Sequence, residues 1–170
     1  MSDFTLAVNV TLQHEGGYQR MVKDSGNWTG GDVGVGELKG TNMGISAAQF
    51  PQLNIQDLTP QEARIIYEQK YWNPLYVQIK DQGICNKLFD LGVLFGQGTA
   101  IKILQECLSQ FDIVPDAQFG PKTLEAVNAS EPTSLLVAYK TLMVARAIKL
   151  GAQDPNMRDS VGPWIRRINS

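Results

Sequence analysis

Glu15 stands where an apolar helical stripe of Phe4, Val8, Thr11 and Leu12 runs into Gly16-Gly17. Extending that face by one turn reaches Glu15, so a carboxyl there shares the apolar setting of the stripe. Desolvation disfavours the charged form of an acid, and the partial negative charge of a helix C-terminus acts in the same direction. A carboxyl kept protonated near neutral pH is what a general acid needs. Asp24 follows in the next segment, with Asp32 beyond it. One carboxyl in apolar surroundings and one in solvent is the equipment for breaking a glycosidic bond. The first protonates the leaving oxygen, while the second activates water or attacks the sugar. Each residue also has a plainer reading. Glu15 could be a solvated side chain on a frayed helix end, and Asp24 the Asx-turn residue of Asp24-Ser25-Gly26.

The elements that must position these groups are legible in outline. A first helix is expected over residues 3–15, with Ser2 or Asp3 as N-cap. Nine glycines then fall between residues 16 and 44, interleaved with Asn27, Asp32 and Asn42, a density that belongs to turns and tight hairpins. Val33, Val35 and Leu38 offer short strands within this loop. A long loop directly after a candidate acid is either a functional loop or a surface insertion. Ser46 caps a short helical turn through Phe50. Thr59-Pro60-Gln61-Glu62 is a capping box with proline at the first helical position. The helix it starts carries Ala63, Ile66, Tyr67 and Lys70 on one face and stops at Asn73-Pro74. Ile84, Leu88, Leu91 and Phe95 mark a core stripe on the next helix. Further helices run over Ala100 to Leu108, from Pro121, and from Thr133 to Leu150 before Gly151. A seam is expected near residues 96–99.

Composition narrows the function classes. A chain of 170 residues is long enough for one domain with a packed subdomain. Its 43% hydrophobic and 19% charged residues are those of a globular protein. A net charge of −2 argues against nucleic acid, whose phosphates call for a basic surface. Cys85 and Cys107 lack metal-site spacing, and the single His14 does not complete a zinc site, so no metal is expected. Buried free thiols are the expected state of the two cysteines. No signal peptide and no stretch of about 20 apolar residues are visible. Among aromatic residues, Tyr18 either stacks on a sugar ring or anchors its loop, Tyr71 and Trp72 read as core, and Trp28 is harder to explain by packing alone. Asp90 either lines a cleft or sits on a solvated face. Arg146, Arg166 and Arg167 read as surface charges.

Four segments carry a resemblance: His14-Glu15-Gly16-Gly17-Tyr18, Asp24-Ser25-Gly26-Asn27, Thr41-Asn42-Met43-Gly44-Ile45 and Tyr71-Trp72-Asn73-Pro74-Leu75. Together they resemble the glycoside hydrolase family 108 muramidases, lysozyme-like enzymes of the phage endolysin or "secretion activator" type. Residues 98 to 170 are similar to the family's predicted peptidoglycan-binding helical region, through Ala100, Leu104-Gln105, Asp116, Gly120, Thr123-Leu124 and Trp164. The resemblance implies a mainly α, lysozyme-like α+β fold, with a helical bundle and a small glycine-rich β-hairpin region after the first helix. It implies a catalytic region over 1–96 and a helical peptidoglycan-binding subdomain over 97–170. The implied activity is cleavage of the β-1,4 bond between N-acetylmuramic acid and N-acetylglucosamine, without a cofactor. Glu15 would be the general acid and Asp24 the stabilising or water-directing carboxylate. Thr41 would hold the attacking water, with Thr29 a second candidate for that role. Tyr18, Asn42, Asp90 and Tyr71 are candidate substrate contacts. The implied partner is the peptidoglycan glycan strand, met by a monomer made in the cytoplasm and acting on the wall in the periplasm or outside the cell. Two other readings stay open: a lytic transglycosylase, and a non-catalytic peptidoglycan-binding protein that assists secretion.

Overall fold

Helix α1 (Phe4–His14) opens the fold in the computed structural model, which describes residues 1–170. Asp3 caps it by accepting the Leu6 amide at 3.0 Å, and Ala7, Val8 and Thr11 form its buried face. The helix stops one residue short of the expected end, so Glu15 lies just past its C-terminus.

The chain folds as two units, Asn9–Lys70 and a larger one built from Met1–Val8 with Tyr71–Ser170. In the smaller unit, strands β1 (Thr41–Asn42) and β2 (Ile45–Ser46) pair antiparallel, Thr41 opposite Ser46 and Asn42 opposite Ile45. The hairpin thus falls later than Val33 and Val35, which are exposed in turns; Leu38 makes only an isolated bridge to Trp28. The Trp28 indole N–H donates to the Val22 carbonyl at 2.8 Å, which ties the loop across its base. The expected helical turn from Ser46 to Phe50 is a run of hydrogen-bonded turns closed by Pro51. Helix α2 (Pro60–Tyr71) starts as its capping box dictates. The Glu62 carboxylate accepts both the Thr59 amide (2.9 Å) and the Thr59 hydroxyl (2.7 Å). These bonds hold the Glu62 carboxyl below its ordinary range, because they favour the charged form.

The larger unit is helical. Helices α3 (Gln82–Phe95) and α4 (Gln97–Glu106) meet at Gly96, followed by α5 (Pro121–Ala129), α6 (Pro132–Gln153) and α7 (Arg158–Asn169). Ile84, Leu88 and Leu91 form the expected stripe, packed with Leu104, Tyr139, Met143 and Ile168. Trp72 is core: its ring stands 5.2 Å from Phe4 and 5.5 Å from Tyr76, both edge-on. Helix α7 has no counterpart in the sequence reading, because Pro163 inside it masks the pattern. It lies against α6, where Gly151 is buried and a Cβ would collide with Val161. The cysteines are free thiols, and burial pushes both up to about 11. No helix is long and apolar enough to cross a membrane.

Candidate active site

Glu15 is half-buried, and its carboxyl is seated over the turn of the β-hairpin. Met43 and Gly44 form that two-residue turn, with φ of 48° and 73°. Both are left-handed values, which suit the right-handed twist of the flanking strands. Glycine adopts such a value freely, whereas methionine does so at a cost. Two hydrogen bonds hold Met43 there. Its amide donates to the Gly16 carbonyl at 3.0 Å, and its carbonyl accepts the Tyr67 hydroxyl at 2.9 Å. A Cβ on Gly44 would stand 2.6 Å from Glu15 Oε2 and would also meet the Tyr67 hydroxyl. The Glu15 carboxyl and the Tyr67 hydroxyl therefore converge on the bare Cα of Gly44. Helix α1 delivers the acid, the hairpin turn supplies its seat, and α2 supplies the phenol beside it.

A second constellation lies on the strand-like segment after Glu15. Gln19 pairs with Thr41 through both backbone bonds, at 2.8 and 2.9 Å. Its side chain turns to Asn27, which is fully buried. The Asn27 amide donates to Gln19 Oε1 (2.8 Å) and to the Met21 carbonyl (3.0 Å). Asn27 Oδ1 accepts Gln19 Nε2 (3.0 Å) and the Thr41 hydroxyl (2.7 Å). Gln19 Nε2 also reaches Asp24 Oδ2 at 3.3 Å, while Asp24 Oδ1 accepts the Gly26 amide at 2.9 Å. Asp24 is thus both an Asx-turn residue and one end of a chain of polar contacts that runs through Gln19 and Asn27 to Thr41. Gln19 escaped the sequence reading, since a lone glutamine carries no spacing signal. Asn27 was visible only as part of the Asp24-Ser25-Gly26-Asn27 segment.

The remaining candidates separate. Tyr18 is 38% exposed and lines a concavity beside this segment. Asn42 is buried, and its amide donates to the Ile55 carbonyl at 3.1 Å, so it braces a loop instead of facing solvent. The Thr29 hydroxyl is engaged with the Glu37 amide at 2.8 Å. Tyr71 is half-buried in the larger unit, where its carbonyl accepts the Gln97 side chain. Asp90 is corrected outright. It is fully buried, and Oδ1 accepts Nε and an Nη of Arg167 at 3.1 and 2.9 Å. Lys87 Nζ lies 3.9 Å from its other oxygen. A carboxylate enclosed by two cations has no face for substrate, and Arg167 is in turn not the surface charge expected.

The fold is mainly helical and lysozyme-like α+β, with a carboxyl just past the end of its first helix. The chain belongs to the family described as Glycosyl hydrolase 108, whose model matches residues 8–96. A model described as Predicted Peptidoglycan domain matches residues 99–169. Together they support a peptidoglycan-hydrolase or peptidoglycan-binding function. Among solved structures, that of Brucella abortus SagA is similar in fold, with a TM-score of 0.65 at 23% identity. The likeness covers 97% of this chain and 92% of that one. No curated protein sequence matches the chain.

Proposed function

We propose that the chain is an N-acetylmuramidase that cleaves the β-1,4 bond between N-acetylmuramic acid and N-acetylglucosamine, with Glu15 as the general acid. The observation that carries this reading is the seat of Glu15, held at a helix end against Gly44 and Tyr67 within the family-matched region. A proton donor must be fixed in place before the leaving oxygen arrives, and a rigid turn fixes it. Asp24, exposed and tethered on both oxygens, serves as the water-directing or stabilising carboxylate. Thr41 donates its hydroxyl hydrogen to Asn27, which leaves its oxygen lone pairs to accept from a water. Residues 1–96 supply the chemistry, and residues 97–170 hold the enzyme on the wall. Acting there as a monomer, the protein reaches its substrate by a route separate from the site itself.

The test is muropeptide mass spectrometry on purified sacculi digested by wild type and by Glu15→Gln. Wild type is expected to release fragments with reducing muramic ends. Glu15→Gln, which keeps the shape and removes the acid, is expected to lose 100-fold or more, roughly the worth of a general acid. Full activity in a folded Glu15→Gln protein refutes the assignment. Ends of the 1,6-anhydro type would make the enzyme a lytic transglycosylase, and retention on sacculi without any release would make it a binding protein.

A further inference from the structure

Successive side chains on an extended segment point to opposite sides. Gln19 faces Asn27 and Thr41, so Tyr18 and Arg20 share the other side. There they line a concavity of about 330 Å³, closed by Leu38 and Lys39 and by a polar wall that includes Gln52 and Gln56. Asn42 fixes that wall through the carbonyls of Ile55 and Gln56.

The lining has a distinct chemistry. It holds a tyrosine ring, side-chain amides and two cations, and none of its residues is acidic, in a chain whose net charge is −2. Lys39 is already engaged, donating to the Pro51 carbonyl at 2.7 Å and pairing with Glu37 at 3.3 Å. Arg20 is exposed and has no hydrogen-bond or ion-pair partner within the chain. An unpaired guanidinium in a cavity suits a carboxylate, which it can grip with two parallel bonds. The ring and amides suit a sugar face and acetamido or peptide groups.

We propose that this concavity is a subsite for the carboxylate-bearing arm of a muramyl residue, with Arg20 as the residue that reads its charge. The inference rests on the muramidase reading for the identity of the sugar. The carboxylate can come from the lactyl group itself or from glutamate in an attached stem peptide. Both present the same chemistry to Arg20, and a neutral hexosamine presents neither.

The experiment is an NMR titration of the full chain with three soluble probes: N-acetylmuramic acid, its L-Ala-D-Glu dipeptide conjugate, and that conjugate with its carboxylates converted to amides. Wild type is expected to bind a carboxylate form, with shifts centred on Tyr18, Leu38 and Gln52. Arg20→Gln is expected to weaken that binding about tenfold, the worth of one charge-assisted contact. The amide probe is expected to bind wild type and Arg20→Gln alike. The first two probes separate the lactyl source from the peptide source. Lys39→Gln, whose cation is already shared with Glu37, is expected to weaken binding less, and it replaces the first variant should that one unfold. Equal binding of acid and amide probes, shifts elsewhere, or no saturable binding overturns the subsite. None of those results touches the role of Glu15, which the sacculus digestion decides separately.

Discussion

Replacing Gly44 by alanine tests whether the hairpin turn really seats the acid. The added methyl would lie 2.6 Å from Glu15 Oε2 and 2.9 Å from its carboxyl carbon, where ordinary contact begins at 3.4 Å. The carboxyl must therefore retreat by about 0.8 Å, the shortfall between those distances. Misplacing a reacting group by about 1 Å costs on the order of 100-fold in rate. The backbone is penalised as well, because φ is 73° and a left-handed alanine costs roughly 1–2 kcal/mol. A loss of that size leaves most of a domain folded. Gly44→Ala is thus expected to lose about 100-fold in kcat for release of reducing ends from sacculi, while circular dichroism shows the folded state still dominant at 25 °C. Tyr67→Phe supplies the control. It removes the hydroxyl that the new methyl would also strike, and it sacrifices the bond to the Met43 carbonyl, worth about 1 kcal/mol. In the Tyr67→Phe background Gly44→Ala should therefore do less harm than in wild type, a coupling readable from the double-mutant cycle. Wild-type kcat in Gly44→Ala, or losses that simply track the unfolded fraction, would refute the seat.

Two further outcomes are expected. Asn27→Ala removes the buried amide that joins Gln19, Met21 and Thr41, and should destabilise the protein by about 2–4 kcal/mol in urea melts while lowering activity more than Gln61→Ala at an exposed position of α2. Glu131 caps α6 by accepting the Ser134 and Thr133 amides at 2.7 and 3.0 Å, and these bonds pull its carboxyl from the ordinary 4.5 down to about 2. A depressed folded-state value stabilises above the unfolded value and is lost as pH falls through the folded one, so this contribution is present above about 4.5 and fades toward 2. Glu131→Gln should flatten that part of the acid limb in thermal melts from pH 5 to 2; an unchanged slope there would exclude the cap as its source.

Local signals were legible where their physics is local. Thr59-Pro60-Gln61-Glu62 dictates a helix start from hydrogen bonds three residues apart, and the structure makes each of them. Glu15 is equally local: an apolar helical face ending in two glycines places a carboxyl at a helix terminus. The hairpin was misplaced because its turn carries Met43 at a left-handed position that asparagine or glycine usually announces. Both hydrogen bonds that hold that backbone value come from afar, from the Gly16 carbonyl and from the Tyr67 hydroxyl 24 residues away. Asp90 fails for the same reason on a larger scale, since the partner that permits its burial lies 77 residues on. Gln19 matters only because Thr41 and Asn27 arrive beside it. Periodicity sees faces, and it does not see which distant group will meet them.

The larger unit takes its first eight residues from one end of the sequence and its closing helix from residues 158–169. At ordinary translation speeds, roughly ten to thirty seconds separate the synthesis of those pieces. Until Arg167 is made, Asp90 cannot be buried with its guanidinium partner, so its carboxylate stays in water, and the start of α1 lacks part of the unit it belongs to. The larger unit is therefore completed only once residues 158–169 have been made, well after the segment 9–70 that its two parts flank in the sequence.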